Sequence, residues 1–97
     1  MATYLIVIGK TSTGYSAHCP DVLGCVSVGN TIEQAVRNMK KALELHFEGM
    51  AEDGESIPKS SNIDSYRKAM KKMESENDFL AHVQIDTRRF TAPVSHV

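Results

Sequence analysis

The stretch Gly14-Tyr15-Ser16-Ala17-His18-Cys19-Pro20-Asp21-Val22-Leu23-Gly24-Cys25, followed by Gly29-Asn30-Thr31-Ile32-Glu33-Gln34 and closed by Asp53-Gly54-Glu55-Ser56-Ile57-Pro58, decides the fold. Tyr15, Ala17 and Cys19 alternate with Ser16 and His18, the period of a strand with two unlike faces. Pro20 ends that strand because it has no N–H for a ladder, and Asp21 and Gly24 suit a tight turn. Cys25-Val26-Ser27-Val28 resumes as a strand and stops at Gly29-Asn30. Thr31 then opens a helix: its hydroxyl can accept from the Gln34 amide while the Gln34 side chain reaches back. Ile32, Ala35, Val36, Met39, Ala42, Leu43, His46 or Phe47, and Met50 form an apolar stripe about five turns long, with Arg37, Lys40, Lys41, Glu44 and Glu48 mostly on the wet side. Asp53-Gly54 and Pro58 stop the helix, Gly54 as a left-handed cap. Gly49 costs up to about 1 kcal/mol relative to alanine, so the last turn is expected to fray.

Outward from this centre, Tyr4-Leu5-Ile6-Val7-Ile8 is a short apolar, β-branched run between polar flanks, which favours a strand covered on both faces. A hairpin-length loop joins it to Gly14, making a three-stranded antiparallel meander. A second helix is expected from about Asp64 to Glu74, with Tyr66, Ala69, Met70 and Met73 on one side. Phe79 to Asp86 alternates cleanly and reads as a fourth strand at an edge. Residues 87–97 carry little periodicity and read as a tail, leaving one domain over 1–97 with its core at about 3–86. If one long helix returns the chain, strand four lies parallel to strand one, and the right-handed crossover rule gives the sheet order 3-2-1-4. The expected class is α+β: two layers, with the helices on one face.

At 97 residues and a net charge of −1, the chain has no global field to hold nucleic acid or an anionic membrane. No apolar run approaches the ~20 residues of a membrane span, and Met1-Ala2-Thr3-Tyr4 lacks the plan of a signal peptide. The expected address is the cytoplasm. Cys19 and Cys25 are the only cysteines. One C-x5-C pair is poor zinc spacing, and in a reducing compartment the two read as half-buried thiols, although they could face each other across adjacent strands.

Catalysis finds no support. His18 and Cys19 are neighbours in a strand and point to opposite faces. The four histidines lack metal-binding spacing, and no glycine-rich phosphate loop is present. A meander, a helix and a parallel fourth strand would also open a ribonuclease H-like fold, whose nucleases hold two metal ions with converging carboxylates. Tyr4 to Ile8 offers no acid there, while Asp21 sits in a turn and Asp86 closes a strand. We expect no enzyme, no cofactor and no metal. Arg67, Lys68, Lys71 and Lys72, with Arg88 and Arg89, keep an alternative open: a nucleic-acid-binding regulator whose binding weakens steeply with salt. The commoner role of such a run is a solvated helix face.

Gly14 to Ala17, Pro20 to Cys25, Gly29 to Ala35, Asn38 and Asp53 to Pro58 together resemble the HicB-like antitoxin family, in register over roughly Tyr4 to Pro58. The resemblance implies a degraded ribonuclease H-like fold without catalysis and the antitoxin role in a type II toxin–antitoxin pair. The partner it implies is a small HicA-like toxin, an mRNA-cleaving protein whose catalytic surface the antitoxin covers. It also implies a homodimer or larger homo-oligomer. Leu23 stands where relatives often carry proline. Many relatives append an operator-binding module, and only about a dozen residues follow strand four here, too few for a helix-turn-helix. Operator binding therefore does not carry over, and a homologue reassigned to another protein partner would look the same. The expected contact surface is the turn Pro20, Asp21, Leu23 and Gly24, with His18 and Tyr15 nearby. The bland alternative is that this turn only sets strand register.

Overall fold

Tyr4 to Ile8 lies inside β1 (Ala2–Lys10), and β1 is flanked on both sides. A computed structural model describes residues 2–58, 67, 70, 71 and 78–90. Its remaining elements are β2 (Tyr15–Cys19), β3 (Val22–Gly29), α1 (Ile32–Glu52), β4 (Asp78–Ile85) and a 3-10 turn, Thr87–Phe90. The sheet order is β3-β2-β1-β4, as the α+β reading anticipates.

The direction of β4 corrects that reading. β4 runs antiparallel to β1, with Ala2 opposite Ile85 and Gly9 opposite Asp78, so the whole sheet is antiparallel. The cause is chain path. The Tyr4 hydroxyl donates to Pro58 O at 2.7 Å, so the segment after α1 passes the beginning of β1. The chain re-enters at Asp78, beside the end of β1. Pro58 thus lies by the start of β1 and Asp78 by its end, whereas the expectation led the chain from α1 straight into β4. The parallel crossover that the ribonuclease H-like comparison relied on is not formed. Most of the second predicted helix lies outside the described residues; of it, Arg67, Met70 and Lys71 are helical and exposed.

α1 packs on the sheet face carrying Tyr4, Ile6, Ile8, Ala17, Cys19, Cys25, Val83 and Ile85. It presents Ala35, Met39, Leu43 and Phe47, one residue every turn and all fully buried. Phe47 takes the place that spacing left open between it and His46, which is exposed. Its ring lies 5.2 Å from that of Tyr4 and 5.9 Å from that of Phe90, tying β1, α1 and the 3-10 turn together. Phe90 is buried, so the core extends past Asp86 into the predicted tail.

Both helix ends are closed by side chain or backbone. Thr31 Oγ1 accepts from Gln34 N–H at 3.0 Å, and Gln34 Oε1 accepts from Asn30 N–H at 2.6 Å, one residue earlier than the capping box anticipates. At the other end Glu55 N–H reaches Met50 O at 2.8 Å and Gly54 N–H reaches Ala51 O at 3.1 Å, with Gly54 at φ 76°. That double bond is a Schellman closure. It holds the final turn, which Gly49 was expected to fray.

Candidate functional site

The turn between β2 and β3 is tighter than its sequence suggests. Cys19 pairs with Val22, so only Pro20 and Asp21 form the turn proper. The next pair is His18 with Val26, and Leu23, Gly24 and Cys25 therefore face no residue of β2. This bulge lets the chain turn early and still bring β3 back into register. Gly24 has φ 81°, and a Cβ there would meet nothing within 4 Å. Its glycine answers to backbone conformation and not to crowding.

Beneath the turn, Cys19 is buried. Burial pushes its thiol up to about 11, and nearby Asp21 and Cys25 push the same way, against hydrogen bonds from the Asp21 and Val22 backbone. Burial also raises the Cys25 thiol and, first among its causes, the Tyr4 phenol, to which Cys19 and Asp21 add. A thiol held neutral is the opposite of an activated nucleophile. His18 faces away from Cys19, on the side of the sheet opposite α1. Among the described residues, no group of three His, Cys, Asp or Glu side chains is placed to hold a metal ion, and no helix is long and apolar enough to cross a membrane.

The predicted contact residues divide between two faces. His18, Pro20, Asp21 and Gly24 gather at the turn and on the outer sheet face beside it, and Leu23 belongs to the bulge. Tyr15 packs against the core on the α1 side and does not join them. That outer face is closed over β1, where Leu5 and Val7 are 5% and 2% exposed, and open over β3, where Val26 and Val28 are each 69% exposed. Sequence reasoning missed these two valines as surface residues. The signal was present: they share a face with Ser16 and His18, their cross-strand partners.

The cations of the alternative reading are not gathered into one free patch among the described residues. Arg88 pairs with Asp86 at 3.0 Å, and its hydrogen bonds hold the Asp86 carboxyl below its usual range. Arg89 pairs with Glu44 at 3.1 Å and lies over the Phe90 ring at 5.3 Å, clasping the 3-10 turn to α1. Arg67 and Lys71 are exposed, and Lys68 and Lys72 lie outside the described residues.

Comparison with known proteins agrees with this geometry. The family model described as the HicB_like antitoxin of bacterial toxin-antitoxin system matches residues 4–97. An uncharacterized 14.9 kDa protein of Haemophilus phage HP1 is 48% identical over 63 residues, which is 65% of this chain and 47% of that protein. The match thus spans about half the length of that relative. Among solved structures, a chain of the HicA3 and HicB3 toxin-antitoxin complex superposes with a TM-score of 0.70 at 29% identity, covering 87% of this chain and 98% of that one. The N-terminal domain of the Burkholderia pseudomallei antitoxin HicB gives 0.70 at 28% identity, with the same coverage of 87% and 98%.

Proposed function

Because the chain belongs to the HicB-like antitoxin family of bacterial toxin–antitoxin systems, we propose that it binds a small HicA-like, mRNA-cleaving toxin in the cytoplasm and covers that toxin's catalytic surface, without catalysis of its own. The observation that carries this reading is the likeness, over 87% of the chain, to a chain of the HicA3 and HicB3 complex. The contact surface we assign is the turn end of the β2–β3 hairpin: His18, Pro20, Asp21, Leu23 and Gly24. A two-residue turn over a buried thiol is a stiff platform, which lowers the ordering cost of binding. The raised thiols and the one-sided placement of His18 fit a surface that recognises a partner rather than one that transforms a substrate.

Co-expression with a HicA-like toxin tests the proposal. The expected outcome is restored growth and a complex that survives high salt during purification. Gly24→Asn supplies a local probe, since asparagine tolerates positive φ and the space around Gly24 is open. It should weaken the complex about tenfold, roughly 1.4 kcal/mol, while leaving thermal unfolding nearly unchanged. RNA cleavage by the purified chain alone, or no complex with any HicA-like protein, would sink the reading.

A further inference from the structure

Cys19 and Cys25 leave one cross-strand pair in the same direction. His18 stands opposite Val26, so a regular antiparallel ladder would set the next residues, Cys19 and Cys25, face to face on the α1 side of the sheet. The chain forms a different pairing. Cys19 takes Val22 as its partner, and Leu23, Gly24 and Cys25 are carried in the bulge. Cys19, Val22 and Cys25 are all buried in the same apolar cluster. Both thiols are free, and they lie close enough that Cys25 is among the causes pushing the Cys19 thiol up.

Two registers of one hairpin therefore compete. The observed one has the two-residue turn Pro20-Asp21 and a bulge. The other would have a five-residue loop, Pro20-Asp21-Val22-Leu23-Gly24, and no bulge. The first buries Val22; the second gives up that burial and opposes the two sulfurs. Cross-strand partners stand about 4.5–5.5 Å apart at Cα, inside the ~4.4–6.8 Å that a disulfide spans. A bond between the sulfurs thus fits the second register, while the buried valine favours the first. Gly24 lies between them at φ 81°, with nothing near the place of a Cβ, so the backbone can pivot there without meeting a neighbour.

We propose that Cys19 and Cys25 form a reversible disulfide that switches the β2–β3 hairpin from the Cys19–Val22 register to the Cys19–Cys25 register. The oxidant is a peroxide. The Cys25 thiolate attacks one peroxide oxygen and expels hydroxide, giving a sulfenic acid; the Cys19 sulfur then attacks the Cys25 sulfur and a second hydroxide leaves. The two thiol protons end in the two waters formed, and the pair has given up two electrons. A dithiol reductant reverses the bond by exchange. Burial holds both thiols protonated, so the step waits on local opening of the hairpin end and answers a sustained oxidative load. The effect on toxin binding rests on the contact surface assigned above: a stiff two-residue platform gives way to a longer loop, which costs more to order.

The test treats the purified chain with hydrogen peroxide, blocks remaining thiols with N-ethylmaleimide and weighs the tryptic peptide of residues 11–37, which holds both cysteines and no methionine. The expected result is a single peptide lighter by two hydrogens that takes up no maleimide, and dithiothreitol should reverse it. By NMR, the Val22 methyl groups should lose their nuclear Overhauser contacts with the core on oxidation and regain them on reduction. The oxidised chain, freed of peroxide, should bind a HicA-like toxin about tenfold more weakly, whereas Cys25→Ala should bind equally with or without the treatment. A chain that stays reduced would overturn the proposal, as would sulfurs that join only between molecules. So would a disulfide that leaves the Val22 contacts in place, or an oxidised chain that binds toxin as well as the reduced one. If the reduced chain binds no toxin, the assigned contact surface falls, and the switch stands or falls on the disulfide and Val22 alone.

Discussion

Gly29 shows how close the first turn of α1 lies to the sheet. A Cβ there would fall 2.5 Å from the Ala35 nitrogen and 2.9 Å from its Cα, both backbone atoms that cannot rotate aside. Gly29→Ala should therefore destabilise the fold by about 2–3 kcal/mol, read from the midpoint of urea unfolding. Cys19 makes a different prediction, in pH. Its folded value is raised to about 11 from the ordinary 9.0, so the unfolded chain loses this proton first. The neutral thiol's contribution is intact below about 9 and is lost as pH rises toward 11, so stability should decline across that window. Cys25 and Tyr4 shift in the same direction, and Cys19→Ala should flatten the decline without abolishing it. Unfolding midpoints measured from pH 7 upward decide this.

Among the elements, α1 was the most legible, because three signals agree on it. Thr31 and Gln34 mark its start, Gly54 its end, and a row of apolar residues every four positions marks its buried side. The direction of β4 was not legible from its own residues. Clean alternation in Phe79 to Asp86 reveals a strand, but direction depends on how often the chain crosses the sheet beforehand. The start of β3 was blurred for a local reason: Val22 and Leu23 sit beside turn residues, and a three-residue bulge has no compositional mark. In sequence the 3-10 turn looks like tail, since four residues carry no periodicity, yet Phe90 completes an aromatic contact with Phe47. Phe90→Ala should cost about 3 kcal/mol by calorimetry or denaturant, whereas alanine in a true tail would change nothing.

For the whole molecule, strand order and much of the core were recoverable from patterning, while the surface was not. Val26 and Val28 look like core residues in a string of letters. Only the placement of β3 at the end of the sheet, with α1 on the other side, makes them exposed. The split of Tyr15 from His18 follows directly from strand alternation, but which face holds α1 depends on the assembled sheet. Removing β4 tests the architecture as a unit. A chain ending before Asp78 would bare the β4-facing edge of the apolar run Tyr4 to Ile8, and we expect it to aggregate on light scattering where the full chain stays clear.

The β1–β4 ladder matches residues from nearly opposite ends of the described chain, Ala2 with Ile85. On the ribosome, the greasiest segment would emerge early and its neighbour on one side some eighty residues later, a wait on the order of 10 s at ordinary translation speeds. During that interval the nascent chain has a sticky flank and no means of its own to mask it. Every newly made copy thus passes through a window in which quality-control proteases and chaperones can seize it, and the cell's supply of finished molecules should be unusually sensitive to how busy those systems are.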